Sequence, residues 1–219
     1  PMSVRPIVFL DVDGVLNRHS TKPGAGVREC VLQREYSLTR HQGVVEEAVV
    51  AAFARMLAAT NAQIVVSSSW REGVASAVAF ADAIGLPPLA SSPDIIHRDW
   101  RTGWKPSSYR FHEIGWWLDD HKRCTNYVVI DDHDFIPPDW KRPSPARFVK
   151  TNPERGLTNA DLNRVCEILG RSDLAFVCET TPTDWFAAGD ANRKPASKSS
   201  ATKMEKCAPA LPQTREDAA

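Results

Sequence analysis

Ile7-Val8-Phe9-Leu10 is an uninterrupted apolar run that stops abruptly at Asp11-Val12-Asp13-Gly14. A strand that is apolar on both sides has no face to give to water, so it belongs inside a parallel sheet covered on both faces. The pattern recurs. Gln63-Ile64-Val65-Val66 is cut off by Ser67-Ser68-Ser69, and Tyr127-Val128-Val129-Ile130 stops at Asp131-Asp132. Segments of helical period separate these runs: Gly43 to Thr60, Glu72 to Ile84 and Ser107 to Asp119. A fourth strand is predicted over Arg147 to Lys150. Thr158 is placed to cap a last helix reaching Leu169, with Asp161 in its first turn. This alternation predicts an α/β fold, a three-layer, Rossmann-like open parallel sheet with helices on both faces. Such sheets hold ligands beyond the carboxyl ends of their strands, which would gather Asp11/Asp13, Ser67/Ser68 and Asp131/Asp132 at one edge.

Composition narrows the remaining classes. The chain of 219 residues is 42% hydrophobic and 25% charged, as in ordinary globular proteins. Lys+Arg and Asp+Glu number 27 each, so a polyanion would have to be met by a local patch. Five scattered cysteines without a C-x-x-C pair argue against a disulfide framework or a cysteine zinc site, and fit a reducing compartment. No apolar run approaches the roughly 18 residues that span a bilayer. The first residues also lack the apolar core of a signal peptide, so the expectation is a soluble, cytoplasmic protein with no membrane partner. One domain is expected over residues 1–179, with a minimal cap insert at about 17–42. Residues 180–219, rich in Ala, Pro, Ser, Thr and Lys, are expected to form a disordered tail.

Asp11 and Asp13 stand two apart where a buried strand ends, and Gly14 permits a sharp turn, so both carboxylates can face one pocket. Clustered carboxylates repel unless a cation or a shared proton offsets their charge. A calcium loop would need a downstream Glu that Asn17-Arg18-His19 does not supply. With Asp131 and Asp132 the set is rich in oxygen, and magnesium is the expected cation. No imidazole or thiolate cluster is evident in the sequence to compete for a softer metal. Ser67-Ser68-Ser69-Trp70-Arg71 offers hydroxyls and backbone N–H groups at a strand-to-helix junction, where an anion can sit. A serine nucleophile is not expected, because the G-x-S-x-G elbow is absent.

These strand-end motifs, in this order, resemble the haloacid dehalogenase (HAD) superfamily. Its first motif, D-x-D-G-x-[LTV], is matched by Asp11 to Leu16; its second by Ile64 to Ser67; its fourth by Val128 to Asp132. For the basic residue of the third motif Arg110 is the first choice and Lys105 the alternative. Within the superfamily the chain looks most like the small domain of "Swiss army knife" RNA repair proteins. The similarity lies in Val65 to Arg71, in Arg110-x-x-Glu113-Ile114-x-x-Trp117-Leu118 and in Gly156-Leu157-Thr158. The resemblance implies that Asp11 attacks phosphorus to form an aspartyl-phosphate, while Asp13 protonates the leaving oxygen and later deprotonates water. It implies magnesium held by Asp11, the Asp13 carbonyl and the acidic pair, with Asp132 favoured as direct ligand and Asp131 supporting it. Ser67, Ser68 and the basic residue would grip the phosphoryl oxygens.

The function so implied is a magnesium-dependent phosphomonoester hydrolase acting on RNA or DNA phosphate ends. The alternatives are a mononucleotide or small-molecule phosphatase and, in another class, a non-catalytic phosphate- or nucleic-acid-binding module. A full set of nucleophile, acid and cation ligands argues against the last. The insert carries Arg18, Lys22, Arg28, Arg34 and Arg40 against Glu29 and Glu35, a local excess that suits a phosphate backbone. Trp100, Trp104, Trp116 and Tyr109 are candidates for stacking bases.

Overall fold

Five strands form one parallel sheet in the computed structural model of the chain: β1 (Ile7–Leu10), β4 (Gln63–Val66), β5 (Ile96–Arg101), β6 (Tyr127–Asp131) and β7 (Phe148–Lys150). Their order is β5-β4-β1-β6-β7. Strands β2 (Val27–Gln33) and β3 (Arg40–Glu46) pair antiparallel as a separate hairpin. The helices are α1 (Glu47–Thr60), α2 (Ala77–Ile84), α3 (Arg110–Asp120) and α4 (Asn159–Ile168). The structure describes residues 4–33, 40–86, 95–103, 109–134 and 136–176. The sequence expected to form the tail, and Lys105 and Trp104, lie outside them.

The period of two in a strand decides which side chains meet which helix. Val8, Leu10, Ile64, Val66, Val128 and Ile130 join one buried cluster with Val49, Phe53 and Leu57 of α1, Phe80 and Ile84 of α2, and Leu162 and Val165 of α4. Ile7, Phe9, Val65, Tyr127 and Val129 point the other way and pack on Phe111, Ile114, Trp117 and Leu118 of α3. The three layers are therefore as expected, with α3 on one face.

Local chemistry explains most element ends. Thr158 and Asp161 form a reciprocal capping box at the start of α4. Ser76 caps α2 by accepting the Ala79 N–H, so the helix begins there and not at Glu72. Residues Ser69–Glu72 form a single 3-10 turn instead. Helix α1 starts at Glu47, four residues later than its apolar period predicts, because Gly43 to Glu46 complete β3. The stretch expected as a cap insert, about 17–42, overlaps this hairpin, with Cys30 and Leu32 turned into the core and Val31 turned out. Strand β5 was not expected; its sequence is polar because it lies at the sheet edge. No helix among the described residues is long and apolar enough to cross a membrane.

Candidate active site

The backbone ladder runs one residue beyond each strand and fixes the site. The Asp11 N–H donates to Ile130 O at 3.1 Å, the Ser67 N–H to Leu10 O at 3.0 Å, and the Thr151 N–H to Asp131 O at 2.9 Å. Asp11, Ser67, Ser68, Asp131 and Asp132 are all buried at this edge. Arg110, the first residue of α3, reaches in from the other layer. Its Nη1 stands 3.2 Å from Asp11 Oδ1 and bonds Asp131 Oδ2 directly. One guanidinium thus serves two carboxylates.

That shortage of positive charge shows in their titration. Burial raises the Asp11 pKa, opposed by Arg110 and by the hydrogen bond from the Ser68 hydroxyl. Burial, and then the neighbouring Asp11 charge, push Asp131 up to about 7, although Arg110 and the His133 N–H (2.9 Å to Oδ1) favour its ionised form. Asp132 meets His133 Nδ1 at 2.5 Å and His19 Nε2 at 3.4 Å. It packs against Gly14, whose φ is +71° and where an added Cβ would lie 2.5 Å from Asp132 Oδ2. Gly14 is needed both for the turn and for this approach. Thr151 pins the same turn by donating its hydroxyl to Gly14 O at 2.8 Å.

Asp13 stands at the exposed rim. Trp70 Nε1 donates to its Oδ2 at 2.8 Å, and Asn17 Nδ2 donates to its Oδ1 at 3.0 Å. The Trp70 ring also lies against Gly43 of β3, where a Cβ would come within 2.4 Å of the ring. Ser67 Oγ is fully buried and has no hydrogen-bond partner. Ligand atoms of Asp131, Asp132 and His133 lie within 4.8 Å of one another. Carboxylate oxygens dominate the buried part of this edge, a donor set that suits a hard cation such as magnesium.

A family model described as the HAD domain in Swiss Army Knife RNA repair proteins matches residues 7–162. The chain belongs to this family. No curated protein and no solved structure matches it significantly. The matched span of this HAD domain takes in every site residue named above.

Several contacts of the HAD site were not evident from sequence. Arg71, itself 5% exposed, donates to the carbonyls of Ser67 and Ser68 at 2.7 Å each and to Glu113 Oε2 at 2.8 Å. This buried pair ties the serine turn to α3, and hence to Arg110. Both residues stand in the motifs quoted for the family resemblance, but nothing in their spacing pairs them. The roles of Trp70 and Asn17 at Asp13, and of His19 at Asp132, are likewise contacts between distant segments. Of the basic insert, Arg18 pairs with Glu46 at 3.0 Å and Arg28 approaches Glu47 at 3.9 Å. Arg34 lies outside the described residues, as does the side chain of Arg40. Trp100, partly buried, packs tilted against Phe80 at the edge of the core, whereas Tyr109 and Trp116 are exposed.

Proposed function

We propose that this HAD domain hydrolyses phosphomonoesters through an aspartyl-phosphate on Asp11, with the phosphorylated ends of polynucleotides, RNA first, as substrates. The observation that carries the reading is the Ser67 hydroxyl. It is buried without a partner at the strand end next to Asp11. A buried unmade hydrogen bond costs about 1–3 kcal/mol, which is recovered when a phosphoryl oxygen accepts it. A purely structural serine at this place would have found an acceptor.

In this reading Asp11 attacks phosphorus while the bond to the leaving alkoxide breaks, and Asp13 gives that oxygen its proton. Water then attacks the aspartyl-phosphate, Asp13 takes its proton, and inorganic phosphate leaves with Asp11 restored. Trp70 and Asn17 hold the Asp13 carboxylate in place at the rim, each using one lone pair and leaving others for the proton. Ser67, Ser68 and Arg110 receive the phosphoryl oxygens. Asp11, the Asp13 carbonyl and Asp132 would hold magnesium, with Asp131 in support. When bound, the ion would offset repulsion between nucleophile and phosphate. These residues all fall within 1–179, and residues 180–219 are taken as a tail dispensable for hydrolysis. The family favours RNA, and exposed Tyr109, next to Arg110, stands where a terminal base could stack.

The test is phosphate release, with magnesium, from 3′- and 5′-phosphorylated RNA and DNA oligonucleotides, mononucleotides and an aryl phosphate. Asp11→Asn should abolish release from all of them while circular dichroism is unchanged, because the amide keeps the shape but is a far poorer nucleophile. Near-wild-type turnover in that variant removes Asp11 from its role. Faster turnover of mononucleotides than of oligonucleotides overturns the polynucleotide assignment alone.

A further inference from the structure

At the opposite edge of the sheet, His97, Asp99 and His121 offer ligand atoms that lie within 4.8 Å of one another. The grouping is built by an irregularity in β5. Ile64 pairs with Ile96 and Val66 with Arg101, so five steps along β5 answer two along β4. The surplus residues bulge from the edge and carry His97 and Asp99 toward the end of α3, where His121 is the C-cap. Trp117 fastens the arrangement. It stacks on the His121 ring at 3.7 Å and donates Nε1–H to Asp99 O at 2.9 Å.

The hydrogen bonds orient the His121 ring. Its Nδ1 lies 2.7 Å from Trp117 O, and a carbonyl can only accept, so Nδ1 carries a proton. In the neutral ring Nε2 then has a lone pair, and it faces Asp99 Oδ2 at 2.9 Å. A proton on Nε2 makes this contact an ion pair, and Arg98 Nε adds a second cation 3.4 Å from the same oxygen; a metal ion would take the place of that proton. A histidine whose Nδ1–H is held by a carbonyl while Nε2 points at a carboxylate oxygen has the outer-shell support seen in metal-ligating histidines. His97 Nδ1 stands 4.0 Å from Asp99 Oδ2 and accepts the Asp99 N–H at 3.0 Å, a hydrogen bond that a bound cation would replace. Beside the cluster lies a cavity of about 400 Å³, lined by Arg5, Ile7, Gln63 and Cys124 with His97 and His121.

We propose that His97, Asp99 and His121 form a zinc site, with its fourth position open to this cavity. Two imidazoles and one carboxylate are a borderline-soft donor set, unlike the oxygen-dominated edge at Asp11. Tetrahedral ligands about 2.0–2.1 Å from zinc stand about 3.3 Å apart, so the 2.9 Å contact must open slightly and the wider ones close. Side-chain rotation of the half-exposed Asp99 supplies that movement. Zinc here would clamp β5 to the end of α3 opposite Arg110. The sequence shows no imidazole cluster, because His97 and His121 come together only through the bulge.

The full chain, stripped with chelator and kept reduced, is titrated calorimetrically with zinc chloride in excess magnesium, which occupies hard oxygen sites. One zinc per chain is expected, weakened about tenfold or more in both Asp99→Asn and His121→Gln. Binding should be unchanged in Asp132→Asn. Cobalt(II) should give the visible absorption of a four-coordinate site without the thiolate charge-transfer band that Cys124 would add. Circular dichroism of each metal-free variant checks that it is folded. Absence of zinc binding, equal binding in folded Asp99→Asn, or loss in Asp132→Asn instead, overturns the assignment and leaves a histidine–carboxylate ion pair.

Discussion

Glu113→Ala isolates the role of the buried Arg71–Glu113 pair. Glu113 is 3% exposed and Arg71 5%, so removing the carboxylate strands a guanidinium inside the protein. Arg71 would keep its bonds to the Ser67 and Ser68 carbonyls, but its Nε already lacks a partner and burial already opposes its charge. Breaking a buried pair from one side costs about 3–5 kcal/mol. A domain of this size holds about 5–15 kcal/mol in all. With a urea slope of about 2 kcal/mol/M, the midpoint should fall by about 1.5–2.5 M at unchanged slope. The exposed Arg164–Glu167 pair has nearly the same separation, 2.9 Å, and serves as the control. Glu167→Ala should cost less than about 1 kcal/mol, because water screens that pair. Equal losses in the two variants would refute the argument from burial. Replacing both partners, as Arg71→Met with Glu113→Leu, should restore much of the stability, since no charge is left buried. It should not restore phosphatase activity, because the serine carbonyls lose their guanidinium. Full activity in the double variant would show that Arg71 does not position the serine turn.

Three further outcomes are expected. Asp13→Asn should lose most activity on an alkyl phosphate and much less in the first step with an activated aryl phosphate, whose leaving group needs little protonation; equal loss on both would count against Asp13 as acid. Activity should vanish in EDTA and return with magnesium, and Asp132→Ala should shift the magnesium requirement more than Asp131→Ala, a reversed order exchanging their roles. Stability of the metal-free chain should depend on Asp131, which holds its proton up to about pH 7 when folded and gives it up near pH 4 when unfolded. Between those values the folded state binds more protons, so stability falls as pH rises from about 4 to about 7, by roughly 4 kcal/mol at most. His97, whose pKa is lowered by burial, acts in the opposite sense, so urea curves in EDTA at pH 5 and pH 8 are compared with those of Asp131→Asn. A wild-type chain that loses nothing relative to the variant at pH 8 contradicts the assignment.

The parts of the fold that sequence made legible are those where one strand meets water on neither side. β1, β4 and β6 read directly, because a run such as Ile7 to Leu10 must feed two cores at once. The edge strand β5 did not, since Ile-His-Arg-Asp-Trp-Arg has no continuous apolar signal. The hairpin escaped for a related reason. Among the described side chains of β2 only Cys30 and Leu32 are buried, and Val44 and Val45 continue the helical spacing of α1 although they lie in β3. In the site, the strand-end acids were legible because parallel topology alone brings them together. Arg71 and Glu113 are 42 residues apart and Trp70 and Asp13 are 57 apart, so their meeting depends on side-chain reach across layers.

Trp70 has one further consequence. Its indole is wedged between Asp13 and the backbone of Gly43, so the hairpin cannot swing outward without a side chain leaving the acid. At this point the hairpin is held as a visor, unlike a hinged lid. On the proposed reading, this described part of the hairpin need not move before chemistry starts. On that reading, discrimination comes from which phosphate ends fit past the wedged indole. A long chain bearing such an end can trail outside without having to be swallowed.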